Sequence, residues 1–361
     1  MLKFVARRLS VMALTALVLT FVVFFLTNLP PNLEKLARSE GSVRMTDEAV
    51  DQWIIENGHS GSVFGRYGQW LGAAPGWTYT DEKGVTRGRC ITRDNTPETA
   101  PARCGILQGD WGGSTSFKKP VLEVLGRAMA ATGWLMMWVM LIMVPMSLLI
   151  GVLAGMREGS RMDRILSTVA IASTATPEYV SGVILVALLA SPATGLSPLL
   201  TDWGWIEGKT LFLGTATSAM DTITFWNFAL PVMTIALYGI GYIARMTRAS
   251  MSEVMTQQYI RTARLKGVAF RDVVLRHALR NALIAPFTVI MLQFPWLLNG
   301  VVIVETLFNY KGFGWTLVWA AGNNDIELLL GCSVVAVFVV LVTQLISDIG
   351  YVFLNPRIRM A

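Results

Sequence analysis

The chain has 361 residues, of which 53% are hydrophobic and only 15% charged, with a formal net charge of +6. A water-soluble domain carries about 25% charged residues, so the composition excludes an ordinary soluble protein. The basic residues flank apolar blocks, which makes the positive charge a topology signal and not a nucleic-acid-binding face.

A bilayer span needs about 20 apolar residues, and six blocks qualify, at roughly 9–29, 130–155, 165–190, 226–246, 286–307 and 329–354. The first is too long for a signal-peptide core and lacks a small-residue cleavage site, so it is expected to remain as an anchor. Lys3, Arg7 and Arg8 precede it; Arg157, Arg161 and Arg164 follow the second block; a basic island follows the fourth; Arg357 and Arg359 follow the sixth. The loops at 191–225 and 308–328 hold only Lys209 and Lys311. The expected fold is an all-α integral membrane protein with six transmembrane helices and both termini cytoplasmic. Residues 1–29 form the first region, 30–129 an external domain between helices 1 and 2, and 130–361 a five-helix core.

The external segment carries Trp53, Trp70, Trp77 and Trp111, enough apolar area for a small cap. Cys90 and Cys104 lie on the oxidising side, where disulfides persist. A bridge between them is expected; it would close a loop of about 15 residues and contribute about 3 kcal/mol. Neither cysteine has a second metal ligand nearby. Cys332, in the last block, reads as packing.

In the second block Gly151 and Gly155 have the GxxxG spacing that lets helices approach closely. In the third, Thr176–Pro177–Glu178–Tyr179 places a helix-kinking proline beside a carboxylate near mid-membrane. An ionisable group there faces a cavity or a partner. Pro177, Glu178 and Tyr179 are therefore candidates for a substrate pathway, with a structural pairing of Glu178 as the alternative. The run Gly204–Thr210 imitates a nucleotide-binding loop but has three residues, not four, before its Gly-Lys pair. With no other such motif, the chain is expected not to hydrolyse ATP. The two histidines, His59 and His277, belong to no ligand or catalytic cluster at recognisable spacing.

The island from Arg245 to Pro286 holds eight basic residues against Glu253 and Asp272. The pattern predicts a short helix ending at Lys266, a turn at Gly267–Val268 and a second helix over Asp272–Ala285. In that helix Val274, Ala278 and Ala282 make an apolar face, with Arg276 and Arg280 beside it. Such a module is a docking surface for a partner; basic residues that merely fix topology are the alternative.

The run Tyr259–Gly267, followed by Arg276–Ala282, resembles the cytoplasmic loop of ABC importer permeases, in particular the oligopeptide/dipeptide/nickel family. Ala263 and Gly267 keep the family spacing, whereas Arg261 and Thr262 depart from the Glu and Ala of the broader superfamily. Tyr67–Gly72 and Gly109–Ser114 also resemble that family, separated here by an insert at about 73–108 that carries both cysteines. So do Val304–Gly314, Asp325 and the closing run Asp348–Arg359. Within these, Glu305 reads as a solvated loop carboxylate near the outer interface, and a gate or substrate contact is the alternative.

The resemblance implies a type I ABC importer permease fold with a periplasmic cap. It implies a heterodimer with a homologous second permease, two cytoplasmic ATPase subunits that bind ATP and magnesium, and an external solute-binding protein, in an inner membrane. It places ATPase docking in a loop at about 247–285, on Tyr259, Arg261, Thr262, Ala263, Arg264, Lys266 and Gly267, with Ala263 entering the ATPase groove. The implied cargo is peptides or related small polar solutes. An ion-coupled secondary transporter or channel is the rival reading, resting on the few buried charges such as Glu178.

Overall fold

The computed structural model describes residues 2–81, 84–91 and 95–354. The closing motif at Asn355–Arg359 lies outside them. Two compact units emerge, one of residues 1–128 with 316–339, the other of 129–315 with 340–361.

The first unit opens with α1 (Leu2–Thr27), whose Leu9, Leu14, Val18, Val22 and Leu26 are exposed, as suits a helix solvated by lipid. Pro30 starts α2 (Pro30–Glu40) in the first helical turn, where its missing N–H costs nothing. Thr46 and Ser62 cap α3 (Asp47–Glu56) and α4 (Val63–Leu71) by accepting from Ala49 N and Gly65 N. A short antiparallel hairpin follows, β1 (Thr78–Thr80) with β2 (Thr86–Gly88), paired Thr78 to Gly88 and Thr80 to Thr86. Cys90 and Cys104 are joined by a disulfide, with Cα atoms 5.5 Å apart. The core gathers Phe24, Leu33, Leu36, Trp70, Ile326 and Leu330. Asp325, fully buried, accepts from Ser114 Oγ at 2.5 Å and from Ser116 N at 3.0 Å.

The second unit is built around one long helix. In chain order its elements are the greater part of α5 (Val121–Gly155), α6 (Arg161–Ala175), α7 (Glu178–Leu189), the short α8 (Leu196–Asp202) and α9 (Phe225–Met255). Then come α10 (Gln258–Leu265), α11 (Phe270–Ala282) and α12 (Ile284–Leu307). Of the last two helices, most of α13 (Phe313–Gly322) and the first half of α14 (Ile326–Leu354) belong to the first unit, and the second half of α14 to this one. A capping box of Thr224 and Asn227 starts α9, and α6, α7 and α12 all pack on it. The GxxxG pair meets α9 directly. A Cβ at Gly151 would lie 2.6 Å from the Ala244 carbonyl oxygen, and one at Gly155 2.6 Å from that of Arg248. Leu135, Val139, Met143, Ile235, Ile243, Val304 and Phe308 fill the space between the helices.

Among the described residues, four helices are long and apolar enough to cross a membrane: Ala6–Thr27, Val121–Gly155, Phe225–Met255 and Ile326–Ile349. Two bent pairs raise the number to six if each is one span. The third apolar block is not one helix, as the helix-kinking Pro177 led one to expect, and the break is sharp. Its segments 161–175 and 178–189 meet at 107°, and at 1.5 Å per residue neither alone reaches across about 30 Å of hydrocarbon. Pro177, which donates no hydrogen bond and holds the residue before it extended, is the physical reason; Thr176 has ψ 123°. The fourth block also runs on. Arg245 and Arg248 belong to the unbroken α9, so the basic island begins inside that helix.

Candidate functional site

The end of α9, all of α10 and α11 fold together on a small apolar core of their own. Met251, Ile260, Ala263, Val273, Val274, Ala278 and Ala282 are buried in it, with Val152 and Met156 against them. The apolar face expected of the second helix is therefore buried, while Arg276 and Arg280 are exposed. The second helix includes one wider, π-type turn at Val273–Ala278 and ends at Ala282, not Ala285, because the chain bends by 45° into α12. Gly267, at φ +76°, ends α10 by a left-handed turn that a side chain would strain.

The outward face of α10 presents Gln258, Tyr259, Arg261, Thr262, Leu265 and Lys266. Tyr259 Oη accepts from Asn281 Nδ2 at 2.9 Å, tying α10 to α11. Arg264 stands 5.8 Å from the Phe270 ring, which Arg157 approaches to 5.1 Å. Ala263 faces the chain's own core beside Ile260 and is 8% exposed, so it shapes the module from within. Leu265 is the apolar residue that faces outward, 81% exposed. Its position, one residue before the basic stop at Lys266, gave no sequence signal separating it from a core leucine.

A polar brace fastens the module to α6. Ser160 caps that helix by accepting from Asp163 N, and Asp163 sits buried behind it. Its carboxylate receives Arg248 Nε and Nη2, both at 2.9 Å, with Gly159 N at 2.9 Å and Ser167 Oγ at 3.0 Å. Glu158 adds a longer ion pair to Arg248 at 3.7 Å and accepts from Ser252 Oγ. The loop after α5 is thereby fixed to α9 by a two-pronged, charge-assisted contact. Ser160-x-x-Asp163, a helix-start pattern, was the visible trace of it in sequence.

Pro177, Glu178 and Tyr179 lie at the sharp corner between α6 and α7, with Pro177 and Tyr179 exposed. Glu178 is half-buried, and its Oε2 has no hydrogen-bond partner among the described residues. Glu305 is not a solvated loop carboxylate. It is fully buried within the last turn of α12, where it accepts from Thr132 Oγ1 and, at 3.0 Å, from Trp315 N. Thr132 Oγ1 in turn accepts from Phe313 N at 2.7 Å, and Tyr310 Oη donates to Ala131 O at 2.9 Å. The carboxylate thus holds the hairpin after α12 against α5, a structural role that saturates its oxygens.

Residues 147–360 match the family described as binding-protein-dependent transport system inner membrane component. The di/tripeptide transport system permease protein DppB of Pseudomonas aeruginosa is 36% identical over 70% of this chain and 78% of its own. A protein of Sinorhizobium fredii named as a peptide ABC transporter permease is 33% identical over 70% of this chain and 77% of its own. A Brucella abortus protein named for peptide transport is 28% identical over 99% of this chain and 98% of its own. Multiple apolar helices, a helix–glycine–helix module and a family match through the core agree: the chain belongs to the binding-protein-dependent transport inner membrane components, the permease subunits of ABC transporters.

Proposed function

We propose that this permease subunit carries peptides or related small polar solutes inward, driven by ATPase subunits that dock on α10. The observation that carries the reading is the outward face of α10, where Leu265 stands exposed among Tyr259, Arg261, Thr262 and Lys266. An apolar side chain ringed by polar and basic ones, on a helix with its own supporting core, has the anatomy of an interface centre. The peptide cargo rests on relatives named for di/tripeptide and peptide transport.

In this account the membrane is crossed six times, with each bent pair one span and both termini cytoplasmic. Residues 30–129, with the insert at 73–108, form a periplasmic cap toward a solute-binding protein, and residues 130–361 form the core with its docking loop at about 247–285. A second, homologous permease completes the pathway, and ATP and magnesium bind the ATPases alone. ATPase closure pulls α10, and the core of α10 and α11 together with the Asp163–Arg248 brace transmits the pull to α5, α6 and α9. Glu178 and Tyr179, at the break between α6 and α7, line the solute path; Glu178 Oε2, buried and without a hydrogen-bond partner among the described residues, pairs with an amino group of the solute when the path opens. Copurification of the ATPase from native membranes tests the docking. Uptake by Glu178→Gln tests the path, which expects lost transport with assembly intact.

A further inference from the structure

The insert at 73–108 supplies two residues, Trp77 and Arg89, to a cavity of about 150 Å³ within the first unit. Arg66, His59, Trp70 and Glu327 also line it. Water fills about 30 Å³ per molecule in the liquid, so the space equals about five waters, the scale of a small amino acid. Trp77 is seated closely on Gly58, where a Cβ would fall 2.2 Å from the indole, and the disulfide holds Cys90, the neighbour of Arg89.

The polar lining does not satisfy itself. Arg66 Nη1 donates to Asn28 Oδ1 at 3.1 Å, but its Nε has no partner among the described residues. Arg89 Nη1 is 3.5 Å from Glu327 Oε1, a long contact that leaves Arg89 Nε and Nη2 and Glu327 Oε2 buried and unpartnered among the described residues. Leaving such atoms unpaired is costly, and native proteins pair them with a protein group, water or a ligand. The balance favours an anion, because two guanidiniums face one carboxylate. His59 adds no charge, since burial and then Arg66 and Arg89 hold its pKa down at about 4. Guanidinium donors match the planar, two-oxygen geometry of a carboxylate.

We propose that the cavity binds a small α-amino carboxylate, the group shared by free amino acids and peptide carboxyl ends. Its carboxylate is held by Arg66 and Arg89, its nitrogen donor by Glu327 Oε2, and Trp70 and Trp77 wall the side chain. This makes the cap a ligand-binding element in its own right, whatever solute the core transports.

The test is hydrogen–deuterium exchange of the full-length protein in lipid nanodiscs with alanine, alanylalanine or alanylalanine amide. Alanine or alanylalanine should protect residues 57–71 and 84–91 saturably, and the amide should not. Protection by alanine alone identifies free amino acids as the ligand class; protection by alanylalanine alone identifies peptide ends. Arg66→Gln and Arg89→Gln should each weaken the effect at least tenfold while the Cys90–Cys104 bridge persists. Arg66→Lys, which keeps the charge but loses the fork, should fall between. No protection by either acid at millimolar concentration, equal protection by the amide, or unchanged affinity in both glutamine variants would overturn the proposal.

Discussion

Asp163 and Arg248, 85 residues apart in sequence, meet through two parallel 2.9 Å hydrogen bonds, and that one contact fixes α6 to the end of α9 that leads into α10. Asp163 is buried, whereas Arg248 keeps about a third of its side chain in solvent. Removing the aspartate therefore strands a partly solvated cation with only Glu158 at 3.7 Å. Asp163→Ala is expected to cost about 1.5–3 kcal/mol, the range for hydrogen bonds to a charged group. A double-mutant cycle with Arg248→Ala, read by thermal unfolding in detergent, should give a coupling of about 1 kcal/mol or more. Strict additivity would mean that the brace is inert.

The contact of α5 with α9 depends on the absence of side chains at two positions. Gly151→Ala places a methyl against the Ala244 carbonyl and Thr247, and overpacking of that kind costs about 1–3 kcal/mol. Gly133, on the same helix, has nothing within 4 Å of its would-be Cβ. Gly133→Ala should be neutral or stabilise slightly through helix propensity. Equal melting behaviour of the two variants would refute close packing at Gly151.

Loss of the disulfide should be felt locally. Cys90→Ser with Cys104→Ser removes a cross-link over a sequence separation of 14, worth about 3 kcal/mol by loop entropy. Faster hydrogen exchange in 73–81 and 95–108 is expected, with exchange in α9 unchanged. A uniform change across both regions would show that the bridge does not act locally.

His59 gives the first unit a pH dependence of definite sign. Its ring stacks on Trp53 at 5.6 Å. Burial, and then Arg66 and Arg89, lower its pKa from 6.5 to about 4, and Glu327 lines the same cavity. The unfolded chain thus takes up the proton first as pH falls. Its contribution to stability is complete above about 6.5 and is lost as pH drops toward 4. His59→Asn should flatten the fall in hydrogen-exchange protection of residues 57–71 over that window. Parallel profiles for variant and wild type would place the titration elsewhere.

Much of this organisation is legible in the sequence because it is local. The GxxxG spacing, the glycine after Lys266 and the apolar faces of α10 and α11 are each written within a turn or two of helix. Proline at 177 marked a break, but the angle of 107° depends on how α6 and α7 each lie on α9, which no local pattern encodes. Ala263 illustrates the same limit. The pattern placed it on the short helix before Gly267, yet which side of that helix is covered depends on Val273, Ala278 and Ala282 folding back onto it. Glu305 was misread because its saturating partner, Thr132, lies 173 residues away. Arg89 and Glu327, 238 residues apart, were equally out of reach of any spacing argument.

The docking role of α10 is most directly tested by affinity copurification from native membranes of wild type, Leu265→Glu and Gly267→Pro. The first substitution leaves the internal core of α10 untouched and places a charge at the exposed apolar position. The second forbids the φ of +76° that ends the helix. An ATPase recovered with the wild type and lost with both variants, while the Asp163–Arg248 brace still confers wild-type melting on Leu265→Glu, is the predicted result. Undiminished ATPase recovery with Leu265→Glu and Gly267→Pro, or none with the wild type under gentle detergent and crosslinking, would contradict docking on α10.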